Sequence, residues 1–199
     1  AEKGSRLARE ILSFAKVGKF VVMDTNLNKI LKSTSRMFLR SNPRLKISEL
    51  YQEDLWPTRV DRVQIGQVLL GLYMHAAEAM PNGGDLYLET ENVMLDPVFV
   101  KPYGIDPGNY VKMSVSDTGM GMDNATKQRI FDPFFTTKKM GRGTGLGLAS
   151  AYGIIKNHEG NIQAYSEVGK GTRFVVEVPV LTKSSPGEES YETHSHSCH

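Results

Sequence analysis

Several things are scarce in this sequence, and each scarcity closes off a class of protein. There is one cysteine, Cys198, in 199 residues. A lone thiol excludes an intrachain disulfide framework and fits a reducing compartment. Excess charge is lacking too: 24 basic and 22 acidic side chains leave a net +2. Bulk electrostatics therefore offers no case for nucleic acid or an anionic membrane as partner. No apolar run approaches the roughly 18–20 residues that span a bilayer, and no signal peptide is visible. The expectation is a cytosolic piece without direct membrane contact, which is compatible with a membrane-anchored parent. Apolar residues, by contrast, make up 40% of the chain. That is enough to pack one domain of ordinary size, with some chain left over.

Periodicity divides the chain. Residues 2–18 carry Leu7, Ile11, Leu12, Phe14 and Ala15 near helical spacing. Asp24-Thr25-Asn26 supplies cap-type residues before a second helix over about 26–40, which Ser41-Asn42-Pro43 ends. A short strand is expected at about 45–50. Asp61 is a good N-cap for a long helix over about 62–80, and Pro81-Asn82-Gly83-Gly84 breaks it. Alternation then predicts strands at 85–93 and 110–117, a short helix at about 123–130 and a Gly, Lys and Thr-rich loop at 132–145. A helix at about 146–158 and strands at about 161–166 and 172–180 follow. Residues 182–199 are polar. No internal repeat is present. Strands clustered with helices that can share one face predict an α/β (α+β) two-layer sandwich.

The chemistry starts at Asp117. Period-two alternation puts it on the same inward face as Val111, Met113 and Val115. A carboxylate aimed into a core is costly unless it finds a donor. Thr118-Gly119-Met120-Gly121-Met122 follows, and its glycines allow a sharp turn and close approach of a flat ligand. An inward acid beside such a turn suits an exocyclic amine such as adenine's. The segment alone fits equally well a carboxylate that caps the next helix. A second cluster, Gly141-Arg142-Gly143-Thr144-Gly145-Leu146-Gly147-Leu148, runs straight into a helix. Backbone N–H groups at a glycine-rich helix start form an anion site, and Lys138, Lys139 and Arg142 add positive charge. No GK[ST] is present and a loop precedes the helix, so this is neither a Walker A loop nor a dinucleotide fingerprint.

Taken in order, these motifs resemble those of the histidine kinase and gyrase-type ATPase superfamily, in the style of nitrogen-regulator-type sensor kinases. Asp-Thr-Gly-Met-Gly-Met at 117–122 resembles the first glycine box and Phe131-Asp132-Pro133-Phe134-Phe135-Thr136-Thr137-Lys138 the phenylalanine box. Gly143–Ser150 resembles the second glycine box, and Gly169-Lys170-Gly171-Thr172-Arg173-Phe174 the final Gly-Thr motif. The likeness is dense over about 45–181 and looser over 1–44. It implies a mixed sheet covered by three helices on one face, and ATP or ADP as ligand. Asp117 would bind the adenine amine, with Thr172 helping through water, and Gly119, Gly121 and Met122 would line the base pocket. Lys138, Arg142 and the backbone of Gly143, Thr144, Gly145, Leu146, Gly147 and Leu148 would hold phosphates under a mobile lid. His75 and Ala79 on the long helix would complete the nucleotide-contacting set. Phe134 and Phe135 are more simply lid anchors packed on the core than nucleotide contacts. Such domains pass the γ-phosphoryl group to a histidine on a helical hairpin, mainly by positioning and charge neutralisation. The implied partners are nucleotide, the acceptor-histidine helix of a homodimeric parent kinase and a response regulator receiver domain. The implied division is a partial dimerisation helix over 1–22, an ATP-binding domain over 23–181 and a polar tail over 182–199.

The sequence also departs from the family. Where the family carries two asparagines four apart on the long helix, this chain has Gly71 and His75. The second asparagine normally supplies an amide oxygen to Mg²⁺. Mg²⁺ prefers hard oxygen ligands, and imidazole suits other metals better. A metal ligand at His75 is therefore a weak expectation. Altered or lost metal-dependent turnover and a tolerated change with Mg²⁺ held by phosphates and water remain open alternatives. The first gives a degenerate, nucleotide-binding regulatory module. A topoisomerase, mismatch-repair or chaperone ATPase ranks last, because those place a glutamate where Gly71 stands. No acceptor histidine is recognisable. His158 lies at a helix end and suits a C-terminal cap. Arg6–Phe14 resembles the second helix of the dimerisation hairpin, whose first helix is expected upstream of residue 1. His194, His196, Cys198 and His199 fit a solvated tail better than a zinc site.

Overall fold

The computed structural model of the chain describes residues 20–137 and 145–180. The expected helix over 2–18, the residues 138–144 and the tail over 182–199 lie outside them. Elements follow in the order β1 (Met23–Thr25), α1 (Leu27–Ser41), β2 (Leu45–Tyr51), β3 (Thr58–Val60), α2 (Arg62–Ala79), β4 (Gly84–Leu95), α3 (Pro97–Val100), a 3-10 turn (Lys101–Tyr103), β5 (Gly108–Asp117), α4 (Asn124–Arg129), α5 (Gly147–Asn157), β6 (Asn161–Glu167) and β7 (Gly171–Pro179).

The helices start where the sequence offers acceptors to their unpaired N–H groups. The Asn26 side chain accepts from Asn28 N, and Asp61 accepts from Val63 N and Gln64 N. Helix α2 stops before Gly83, whose φ of 95° and close approach to the Arg44 carbonyl admit no side chain.

Five strands form one mixed sheet in the order β2-β4-β5-β7-β6. The β2–β4 pair is parallel, through a crossover that contains α2, and the rest are antiparallel. Leu86, Leu88, Val111, Met113, Val115, Phe174, Val176 and Val178 are buried toward the helices. Helix α2 packs against α1 and α5 and supplies Ile65, Val68, Leu69, Leu72 and Ala76 to that core. This is the two-layer α/β sandwich expected from the motifs. The opposite sheet face carries a polar ladder, including ion pairs between Arg173 and Glu89 and between Lys112 and Glu91.

Two features lay outside the expectations. A two-stranded ribbon joins β1 to β3, and the β4–β5 connection builds α3 with its own small core of Leu95, Val100 and Tyr110.

Candidate functional site

A cavity of about 1100 Å³ opens along α2. Its wall includes Gly71, His75 and Ala79 from α2, then Met120, Gly121 and Met122 from the turn after β5. Gly145, Leu146, Gly147 and Leu148 at the start of α5 complete it. Three stretches far apart in sequence, each marked for the nucleotide site, thus meet at one opening. Lys138, Arg142, Gly143 and Thr144 lie outside the described residues.

Asp117, Gly119 and Thr172 stand one layer behind that wall. Asp117 is 5% exposed and faces inward, as alternation requires. The register sets it opposite Thr172 on β7 and Leu86 on β4. Its Oδ1 accepts from Gly119 N at 2.8 Å and from Thr172 N at 3.3 Å. Its Oδ2 is buried with no hydrogen-bond partner among the described residues. Burial pushes the Asp117 carboxyl above its ordinary range, and the two N–H donors offset this only in part. The carboxylate thus accepts on one oxygen and leaves the other bare. Leaving a buried acceptor unpaired costs about 1–3 kcal/mol.

The glycines around Asp117 are required by the protein's own packing. A side chain on Gly119 would meet Ala79 Cβ at 2.6 Å. Gly121 takes φ 65°, and the Glu167 carbonyl occupies the space a side chain there would need. Gly171 takes φ 88° and lies equally tight on the Asp117 carbonyl. At Gly119 and Gly121, expected to allow close approach of a ligand, neighbouring backbone also requires the absence of a side chain. Ser166 escaped the sequence reading. Its Oγ accepts from Met122 N at 2.8 Å and lies 2.9 Å from Thr172 Oγ1, so it ties the turn to β7. The hydroxyl of Thr172 is thus engaged with Ser166, and its backbone N–H serves Asp117.

At the other wall, α5 begins at Leu146 without a side-chain cap. Among the described residues no side chain caps its first N–H groups, and around Gly147 there is open space for a Cβ.

The phenylalanine segment needs a correction. Phe135 packs on the core and lies under the Arg129 guanidinium at 4.5 Å from its ring centroid. Phe134 does not anchor anything: it is 68% exposed and has φ 66°. That left-handed backbone, held by Phe134 N donating to the Gly145 carbonyl at 3.0 Å, turns its side chain outward. Phe131 takes the anchoring role, its ring 5.6 Å from Tyr152 and 6.4 Å from Phe174.

His75 lies half-buried with its ring edge-on to Phe174, centroids 5.3 Å apart at 88°. It and Glu78, three residues on, are the His, Cys, Asp or Glu side chains among the described cavity lining. No group of three or more His, Cys, Asp or Glu suited to a metal occurs among the described residues. These donors do not amount to an octahedral oxygen cage for Mg²⁺. No described helix is long and apolar enough to cross a membrane.

Comparison with known proteins agrees with this fold. The profile of the histidine kinase-, DNA gyrase B- and HSP90-like ATPases matches residues 60–182. The chain is 36% identical over 194 residues to the sensor kinase CckA of Brucella abortus, covering 96% of this chain and 20% of that protein. It is 30% identical over 189 residues to the sensor histidine kinase ZraS of Escherichia coli K12, covering 94% of this chain and 37% of that one. The chain thus spans about a fifth to under two fifths of these relatives. The nucleotide-free catalytic domain of histidine kinase ThkA superposes with a TM-score of 0.66 at 27% identity, over 80% of this chain and 96% of that one. ThkA solved with the response regulator protein TrrA gives 0.66 at 25%, over 90% of this chain and 49% of that one.

Proposed function

The chain belongs to the family of histidine kinase-, DNA gyrase B- and HSP90-like ATPases, and from that premise we propose that it is the ATP-binding catalytic domain of a two-component sensor kinase. In this reading it donates the γ-phosphoryl group of ATP to a histidine outside residues 1–199. The bare Asp117 Oδ2 carries the proposal. An exocyclic amine such as adenine's is the donor it lacks. Ala79 and the 120–122 turn, joined by Met120 N donating to the Ala79 carbonyl at 3.1 Å, flank the proposed base pocket. Met120, 59% exposed, is the side chain best able to yield. Triphosphate then extends along α2 toward Gly71 and the uncapped start of α5. Lys138, Arg142 and the backbone of Gly143 and Thr144 are the proposed phosphate-binding groups from the glycine-rich segment. Catalysis rests on holding the transferring group in line and neutralising its charge. The acceptor helix of a homodimeric parent and a receiver domain are the proposed partners; ThkA in complex with TrrA supports the second. The proposed division remains 1–22, 23–181 and 182–199.

Among the described residues, the cavity lining offers Mg²⁺ no complete set of carboxylate or amide ligands. This favours a second reading, a nucleotide-binding regulatory module with weak metal-dependent turnover. His75 packing on Phe174 is the observation behind it. Labelled ATP, Mg²⁺ and a separately supplied acceptor hairpin discriminate the two. Transfer to the hairpin supports the kinase. ADP binding without transfer, with transfer restored by Gly71→Asn plus His75→Asn, supports the module. Absence of any nucleotide binding overturns both.

A further inference from the structure

The cavity along α2 does not belong wholly to the nucleotide set. Its part between α1 and α2 contains none of the residues marked for that site and has a different chemistry. The two helices run side by side in the same direction. A Cβ on Gly66 would lie 3.7 Å from Thr34 and 4.0 Å from Ile30, and further along Phe38 meets Tyr73 with ring centroids 5.5 Å apart. The bare Gly66 leaves a trough between the two helix crests.

The crests carry residues at identical spacing. On α2, Val63, Gln67, Leu70 and Met74 follow i, i+4, i+7 and i+11, and all four line the cavity. Val63 is 80% exposed and Met74 53%. On α1, Lys29, Ser33, Arg36 and Arg40 follow the same spacing and are all exposed. Lys29 and Ser33 line the cavity, and Arg36 and Arg40 continue their edge. Helix α1 contains no acidic residue. Among the described residues no ion pair engages Lys29, Arg36 or Arg40. Each stripe is about 16 Å long, roughly three turns of helix.

An exposed apolar stripe beside an unpaired basic one complements a helix that presents apolar residues next to Asp or Glu. We propose that this trough docks such a helix from a separate partner protein, with its apolar side chains against Val63, Leu70 and Met74 and its acidic ones against Lys29, Arg36 and Arg40. A second copy of this chain does not supply that occupant. Across a two-fold axis the same cations would oppose one another. Apart from Glu78, no described helix carries an acidic residue. A nucleic acid would use the basic edge but gain nothing from Val63 and Met74. Three turns of helix fall short of a standard interface, so the complex is a transient one. Docking needs no nucleotide and is independent of the ATP reading.

The test uses a labelled synthetic peptide of about 20 residues of Leu, Glu and Ala, long enough to be helical in water, with leucines spaced i, i+4, i+7 and i+11. Its control has every Glu replaced by Lys. Fluorescence anisotropy without nucleotide follows binding to the full chain. The Glu peptide is expected to bind at least about tenfold more tightly than the Lys peptide. Arg36→Glu with Arg40→Glu should weaken it about tenfold, and Val63→Ser, on the other edge, about fivefold. Lys46→Glu with Lys101→Glu, an equal change of charge at exposed positions elsewhere, should leave affinity within about twofold. Equal binding of the two peptides, binding of neither, or an equal loss from the remote pair overturns the proposal. So does unchanged affinity in Val63→Ser, which keeps every cation and separates a docked helix from a merely basic surface. Displacement of the Glu peptide by oligo-dT or by phosphatidylglycerol vesicles also overturns it, because the surface would then read anionic charge alone.

Discussion

Asp61 and Asp117 make an instructive pair. Both are buried carboxylates, one at the start of a helix and one at the end of a strand, and both accept backbone N–H groups. Around Asp61 the protein has completed the set: three donors use both oxygens. Burial raises its pKa, but the bonds from Val21, Gln64 and Val63 outweigh that, and the carboxyl lies below its ordinary range. Around Asp117 two donors share one oxygen and the other has none, so burial prevails and the carboxyl lies above its ordinary range. One site is finished by the fold and serves stability. The other keeps one buried oxygen without a hydrogen-bond partner among the described residues.

The strongest way to break the open site is to remove the backbone fit that holds it. Gly171→Ala forces a side chain against the Asp117 carbonyl at φ 88°. We expect a loss of about 3 kcal/mol or more in urea unfolding, because strain adds to a clash with backbone that cannot yield. A loss under about 1 kcal/mol, within the range of ordinary surface changes, would show that this hairpin tolerates rearrangement.

The finished site is broken by Asp61→Ala, which strips the α2 cap and orphans Val21 N. A loss of about 2 kcal/mol is expected, at the upper end for N-caps. ADP affinity, read by calorimetry, should barely change. A large affinity loss with little destabilisation would reverse the roles assigned to the two ends.

Much of this division was legible before any coordinates. Asp61 as an N-cap needs only a good cap residue before a periodic run, and Asp117 as an inward acid needs only strand parity. Both are local signals. What stayed hidden depends on tertiary placement. Strands β1 and β3 have three residues each, too few for alternation to register. Ser166 became part of the site only because β6 sets it beside Met122 and Thr172. Phe134 looked like an anchor because nothing in its neighbours announces a positive φ. His158 was correctly read as a cap, since its backbone N–H reaches Ile154 and Ile155 carbonyls, but its bond to a residue 97 positions away has no local trace.

The smallest expected effect sharpens the comparison through pH. A carboxyl lowered in the folded state contributes stability above its unfolded pKa and loses it as pH falls through the folded value. Asp61→Asn should therefore flatten the acid loss of stability. A carboxyl raised in the folded state contributes stability below its unfolded pKa and loses it as pH rises through the folded value. Asp117→Asn should accordingly gain on the parent as pH rises past the ordinary carboxylate range, and the gain should shrink in acid. Unfolding curves at several pH values check both signs; parallel shifts in the two variants would contradict the assignment.

If a nucleotide base completes the bare Asp117 Oδ2, ADP affinity depends on this carboxylate. Calorimetric titration of ADP into parent and Asp117→Asn, paired with an unfolding curve of each, tests it most directly. The account predicts that Asp117→Asn binds ADP more weakly by about 1.5–3 kcal/mol, the worth of a hydrogen bond to a charged group, while its stability at neutral pH equals or exceeds the parent's. Unchanged ADP affinity in a folded Asp117→Asn chain would contradict it.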